Sequence, residues 1–157
     1  MITSKRNVRS LKDAAAFRAY LEATGIGLPF DDVVNSGPGS PLAQPFAVGG
    51  HSVGNRFAIL PMEGWDNTTD GRPTDLTRRR WQRWGASGAK LIFGAEAMAV
   101  RPDGRGSPVQ LMMVEDNLAE ISGLRALLVR SHEERFSNAD DLFVGVPVKL
   151  GARGVEQ

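Results

Sequence analysis

The sequence predicts an α/β fold built on a parallel sheet, and three observations carry that prediction. From residue 55 onward, apolar runs alternate with amphipathic stretches in the order strand, helix, strand, helix, strand. The strand candidates, 56–60, 90–100 and 141–148, open as unbroken apolar runs rather than alternating ones, which suits a parallel sheet covered on both faces. Proline, glycine or polar loops close each run before the next helix begins.

Each element has its own signal. Residues 10–24 read as a helix, with Ser10 as cap, Asp13 at the third helical position and Ala14, Phe17 and Leu21 on one face. Gly25 and Gly27 end it, and Pro29 prevents its resumption. Residues 31–45, rich in Gly, Pro and Ser, read as an extended arm over a surface. Residues 46–55 read as a hairpin turning at Gly49 and Gly50. Thr74 or Asp75 caps a second helix over 76–87. A third helix spans 117–135, with Leu118, Ile121, Leu124, Leu128 and Val129 on one face. Pro147 weakens the third strand, because it lacks a ladder donor.

Composition bounds the function. A chain of 157 residues, 41% hydrophobic and 24% charged, suffices for one domain with a real core. The net charge of +1 supplies no global field for nucleic acid or an anionic membrane. The lack of cysteine excludes disulfides, thiolate metal sites and a cysteine nucleophile. No apolar h-region and no membrane-length apolar run are visible, so a cytoplasmic protein is expected.

Function in parallel sheets gathers at the carboxyl ends of the strands, where Pro61–Glu63 and Glu96–Ala97 fall. Glu63 and Glu96 are open to two readings: polar groups of a crevice, or strand-end residues bonding loop backbone. The arginines at 78, 79, 80 and 83 interleave with Trp81 and Trp84, as in nucleic-acid modules. Helical spacing instead puts Leu76, Arg80, Trp81 and Trp84 on one broad face and points Arg78, Arg79 and Arg83 elsewhere, which buries the tryptophans against the sheet with the arginines as solvated or snorkelling neighbours. The run 101–106, RPDGRG, lacks the lysine and hydroxyl spacing of a phosphate loop and reads as a turn. His51 and His132 have no partners at metal-ligand spacing, and there is no nucleophile elbow.

The ordered motifs resemble a known family. Asn55-Arg56 before an apolar strand, Pro61-Met62 at its end, a helix rich in Arg and Trp closing at Gly85 and Gly88, Glu96-Ala97 at the next strand end and a Pro102-to-Arg105 loop follow one another as in the old yellow enzyme family. These are FMN-dependent NAD(P)H:flavin oxidoreductases, including a dienoyl-CoA reductase-like branch. The likeness spans about residues 46–146, and the 31–45 arm resembles an extension seen in one branch. It implies a TIM barrel holding FMN at the carboxyl ends of its strands, with hydride passing from NAD(P)H to the flavin and on to an activated alkene or similar acceptor. It implies cofactor contacts at Pro61, Met62, Glu63 and Ala97: backbone at the first two against the ring, Glu63 near its reactive edge, Ala97 by the pyrimidine side. A carboxylate there disfavours the anionic reduced flavin and lowers its potential.

The chain also departs from that pattern. A TIM barrel typically needs about 250 residues. Where the family has a flavin-binding glutamine, then histidine and glycine-arginine, the chain reads VGVPVKLGARGVEQ. The substrate-binding histidines, catalytic tyrosine and phosphate site of the family lie on later strands. The expectation is therefore a partial TIM barrel: residues 1–45 a helix and arm, 46–148 a hairpin and about three β/α units, 149–157 an unrelated-looking tail. Such a fragment is expected to be inactive alone and to bind FMN weakly. The alternative is a non-enzymatic incomplete barrel that persists by self-association or by pairing with a complementary fragment. In an unclosed barrel Phe57, Ile59, Ile92 and the apolar residues of 142–146 are expected to be partly uncovered.

Overall fold

The computed structural model describes residues 7–136 and, as backbone, strand residues 143–144, 149–151 and 154–156. The chain divides into two compact units, Met1–Ser36 and Gly37–Gln157. In the first, helix α1 (Ala14–Thr24) is capped by Asp13, whose carboxylate accepts from the Ala16 amide at 2.7 Å. The cap is thus Asp13 and not the expected Ser10, whose hydroxyl instead bonds the Asn7 carbonyl inside a short 3-10 turn, Val8–Ser10. Gly25, at φ 68°, closes α1 in the left-handed conformation that glycine adopts without steric cost.

The second unit begins with the antiparallel hairpin β1 (Phe46–Val48) and β2 (His51–Val53), turned by Gly49 and Gly50, both at positive φ. Three parallel strands follow in the spatial order β3 (Ala58–Ile59), β4 (Leu91–Ile92), β5 (Phe143–Val144). Helix α2 (Asp75–Gly85) lies between the first two in sequence and α3 (Leu118–Phe136) between the last two. The regular strands are much shorter than the apolar runs that announce them. Lys149–Gly151 and Gly154–Glu156 form a terminal antiparallel pair, β6 and β7; the rest of 137–157, including Pro147, lies outside the described residues.

The core sits between the sheet and the two helices. Trp81 of α2, Ile92 of β4, Ala95, Leu111, and Leu124 and Leu128 of α3 form its buried cluster, with Ile59, Trp84, Met98 and Val129 packed around it. The Thr74 hydroxyl starts α2 in a reciprocal cap with Thr77. The helices cross closely at Gly85: a Cβ there would lie 2.1 Å from the Leu128 carbonyl oxygen. The His132 ring fills the same junction, with Nδ1 3.0 Å from the Gly85 carbonyl and Nε2 3.0 Å from Lys90 Nζ. A carbonyl only accepts, so Nδ1 carries the proton and Nε2 accepts from the ammonium. His132 is therefore a structural clamp between the two helices and Lys90.

The two faces of the sheet differ. Register pairs Ile59 with Ile92 on the helix side and Ala58 with Leu91 on the other. Ile92 is fully buried, whereas Leu60 is 67% and Phe93 59% exposed. The expectation that Ile92 is uncovered is corrected here: its alternation phase turns it under α2 and α3. Phe57 is half exposed and Ile59 half buried.

Candidate functional site at the strand ends

Beyond β3 and β4 the ladder resumes as a parallel bridge between Met62 and Glu96, with the Ala97 amide donating to the Met62 carbonyl at 3.2 Å. The register has slipped by one residue, which leaves one extra residue on the β4 side. The bulge falls at Gly94 (φ 73°) and Ala95 (φ 53°), the latter the one non-glycine at positive φ among the described residues. Holding alanine there costs on the order of 1–3 kcal/mol, a strain typical of segments whose side chains must be re-aimed. The result is visible in burial: Phe93 faces solvent, while Glu96 is turned inward and is 1% exposed.

Glu96 then sits in a closed network. Its Oε2 accepts from Arg80 Nη2 at 2.9 Å and Trp81 Nε1 at 3.2 Å, and its Oε1 accepts from Asn67 Nδ2 at 3.0 Å. The Asn67 carbonyl oxygen accepts from Thr77 Oγ1 at 2.7 Å. Arg80 also forks onto Asp66 at 2.5 and 2.8 Å, and these bonds hold the Asp66 carboxyl below its ordinary range against a smaller burial effect. The pairing with Asp66, then Glu96, keeps the Arg80 guanidinium firmly protonated. Gly64 closes the pocket; a Cβ on it would lie 2.2 Å from Arg80 Nη2 and 2.4 Å from Glu96 Oε1. One buried donor, Arg80 Nε, has no acceptor among the described residues.

The loop after the second strand end is tied to the same region. Gln110 bridges it, accepting from the Gly106 amide at 2.8 Å and donating to the Ala97 carbonyl at 3.0 Å. Arg105 donates to the Thr69 and Pro108 carbonyls at 2.7 and 2.8 Å, so the RPDGRG run is a pinned turn.

The four residues singled out from sequence are therefore distributed as follows. Met62 and Ala97 meet directly; Met62 is 73% exposed and Ala97 half buried. Pro61 is exposed beside the Gly94 bulge, where a glycine Cβ would come within 3.3 Å of its ring. Glu63 is exposed and accepts from Trp65 Nε1 at 2.9 Å. It is not joined to Glu96, so the two carboxylates do not form one crevice pair. The Glu96 carboxylate bonds side chains, not loop backbone, among the described residues. Sequence reasoning missed Asp66, Asn67 and Gln110; it put Arg80 on the tryptophan face, but as a solvated or snorkelling neighbour and not as the partner of Asp66 and Glu96, and Leu76, expected on that same face, is 57% exposed. A guanidinium on a buried helix face requires a carboxylate, and Glu96 at the facing strand end was the available signal.

Among the described residues no helix is long and apolar enough to cross a membrane, and no group of three His, Asp or Glu side chains is placed to hold a metal. No protein-family model matches the chain, and no curated protein does.

Proposed function

We propose that the chain is the N-terminal part of an FMN-dependent NAD(P)H oxidoreductase of the old yellow enzyme type, a partial TIM barrel that contributes one wall of a flavin site. The observation that supports this most is the meeting of the Pro61–Glu63 and Glu96–Ala97 strand ends beside a sheet face that no helix covers among the described residues. In a barrel that face is the interior, and those strand ends are its functional rim. When bound, FMN supplies the hydride relay between NAD(P)H and an activated alkene or similar acceptor.

The described residues fit one flank of such a ring and no more. Met62, with Leu60 and Phe93 below it, offers an uncovered apolar surface. The polar side chains around it are already engaged: Arg80 and Asn67 on Glu96, Gln110 on Gly106 and Ala97. They brace the rim, and the Ala97 amide and carbonyl and the Met62 carbonyl are engaged as well, so the surface left for a ring is the apolar flank at Pro61 and Met62. Glu63 sets a negative charge at the rim. With phosphate contacts left to later strands, FMN binds the 157-residue chain more weakly than about 100 µM, since each 1.4 kcal/mol of lost contact is tenfold in affinity. An FMN fluorescence titration tests this. Saturation below about 1 µM overturns the one-wall reading. Failure to bind FMN tightly even when the missing barrel half is restored overturns the family reading.

The second reading is a non-enzymatic incomplete barrel that associates through the same face, favoured by the exposure of Leu60 and Phe93. Tight flavin binding by a restored barrel separates the two.

A further inference from the structure

Most arginines whose side chains are engaged in this chain have acceptors close by. Arg18 pairs with Asp32, Arg72 with Asp70 and Glu120, Arg80 with Asp66 and Glu96, Arg101 with Asp103, and Arg105 with loop carbonyls. Of the arginines without an ion pair among the described residues, which include Arg56, Arg78, Arg125 and Arg130, Arg79 and Arg83 share one surface. Both are exposed on the outer side of α2, one helical turn apart, and neither has a carboxylate partner among the described residues. With Gln82 and Ala86 they line one bank of an open groove of about 650 Å³. Ser131, Glu134 and Arg135 of α3 form the other bank. Arg135 is held over the Phe136 ring, 5.7 Å from its centre, which leaves its guanidinium edge toward solvent. Three guanidiniums thus face one carboxylate.

Arg79 and Arg83 stand at i and i+4, a like-charge pair that is offset by Asp75 four residues before Arg79 and by the place of Arg83 in the last turn of the helix. The feature a partner reads is the concentration of positive charge on the two banks of the groove. The groove lies on the side of the helices away from the sheet, so the strand-end rim and any barrel interior are not involved.

We propose that the α2–α3 groove is a docking surface for an acidic segment of a protein partner, whose carboxylates are spaced to meet Arg79, Arg83 and Arg135. Guanidinium forks suit carboxylates in two-pronged geometry. Nucleic acid is the poorer occupant: the net charge of the whole chain is only +1, and both tryptophans of α2 turn inward, leaving no aromatic platform beside these arginines for bases. The proposal stands whether or not the chain belongs to a flavin enzyme.

The test is fluorescence anisotropy with the full chain and a labelled helical peptide carrying glutamates one turn apart. The expected result is saturable, salt-sensitive binding that falls by about tenfold or more in the Arg79→Gln/Arg83→Gln double variant. Arg101→Gln, a surface arginine outside the groove, leaves it unchanged. Both groove arginines are exposed, so the double variant keeps its fold, as an unchanged far-ultraviolet spectrum checks. Equal loss in Arg101→Gln, or no saturable peptide binding, overturns the proposal. Tighter binding to a single-stranded oligonucleotide than to the peptide also overturns it.

Discussion

Adjacent residues of one strand meet opposite environments in this protein. Ile92 is sealed under α2 and α3, and Phe93, next in sequence, stands more than half in solvent. The helix-side face joins a core of Trp81, Leu111, Leu124 and Leu128; the other face carries Leu60 and Phe93, both more than half exposed. A continuous apolar strand calls for cover on both sides. Here the chain supplies one cover itself, and the contrast between the faces is what the partial-barrel proposal explains.

The sharpest break of that contrast lies at the rim, where the bulge at Gly94 and Ala95 turns Glu96 to the covered side. Glu96→Ala leaves Arg80, Trp81 Nε1 and Asn67 without their shared acceptor and is expected to cost about 3–5 kcal/mol in urea unfolding. Truncation within the two faces is the next largest test. Ile92→Ala costs about 2–4 kcal/mol, because it opens a cavity in a packed core. Phe93→Ala, though it removes a larger side chain, changes monomer stability by about 0.5 kcal/mol or less. Equal costs for the two variants contradict the one-sided burial.

A smaller effect depends on pH. Asp66 has its carboxyl lowered by the Arg80 fork, so the folded state binds the proton less readily than the unfolded chain. Its contribution is therefore present above the unfolded value, about 3.9, and is lost as pH falls through the lower folded value. Asp66→Asn is expected to flatten the acid limb of the stability–pH curve and leave the slope near neutrality unchanged, as followed by circular dichroism. An unaltered acid limb removes Asp66 from the account.

Much of this architecture was legible because it is local. The Gly49-Gly50 turn and the burial of Ile121, Leu124 and Leu128 depend on residues within a turn or two and appear as read, the α2 cap is Thr74 of the two candidates, and Leu118, expected on the same face of α3, is instead 46% exposed at its first turn. Asp13 displaced Ser10 as the α1 cap because its carboxylate reaches the Ala16 amide and the Ser10 hydroxyl is spent on Asn7. The phase of β4 was misread, since an unbroken apolar run gives no clue to which alternate residues face the helices. The rim network was illegible for a different reason. Glu96 gathers donors from Asn67, Arg80 and Trp81, positions brought together only by the crossover and the register slip. Two consecutive left-handed residues, one of them alanine, carry no composition signal.

The uncovered face gives the most direct measurement. Light scattering of the full chain at tens of micromolar, compared with the Leu60→Ser/Phe93→Ser double variant, reads whether that face seeks a partner. The account predicts concentration-dependent association of the parent chain that the two substitutions abolish while the far-ultraviolet spectrum stays unchanged. A parent chain that remains a clean monomer at that concentration, or association that persists in the variant, contradicts a sheet with one face left bare.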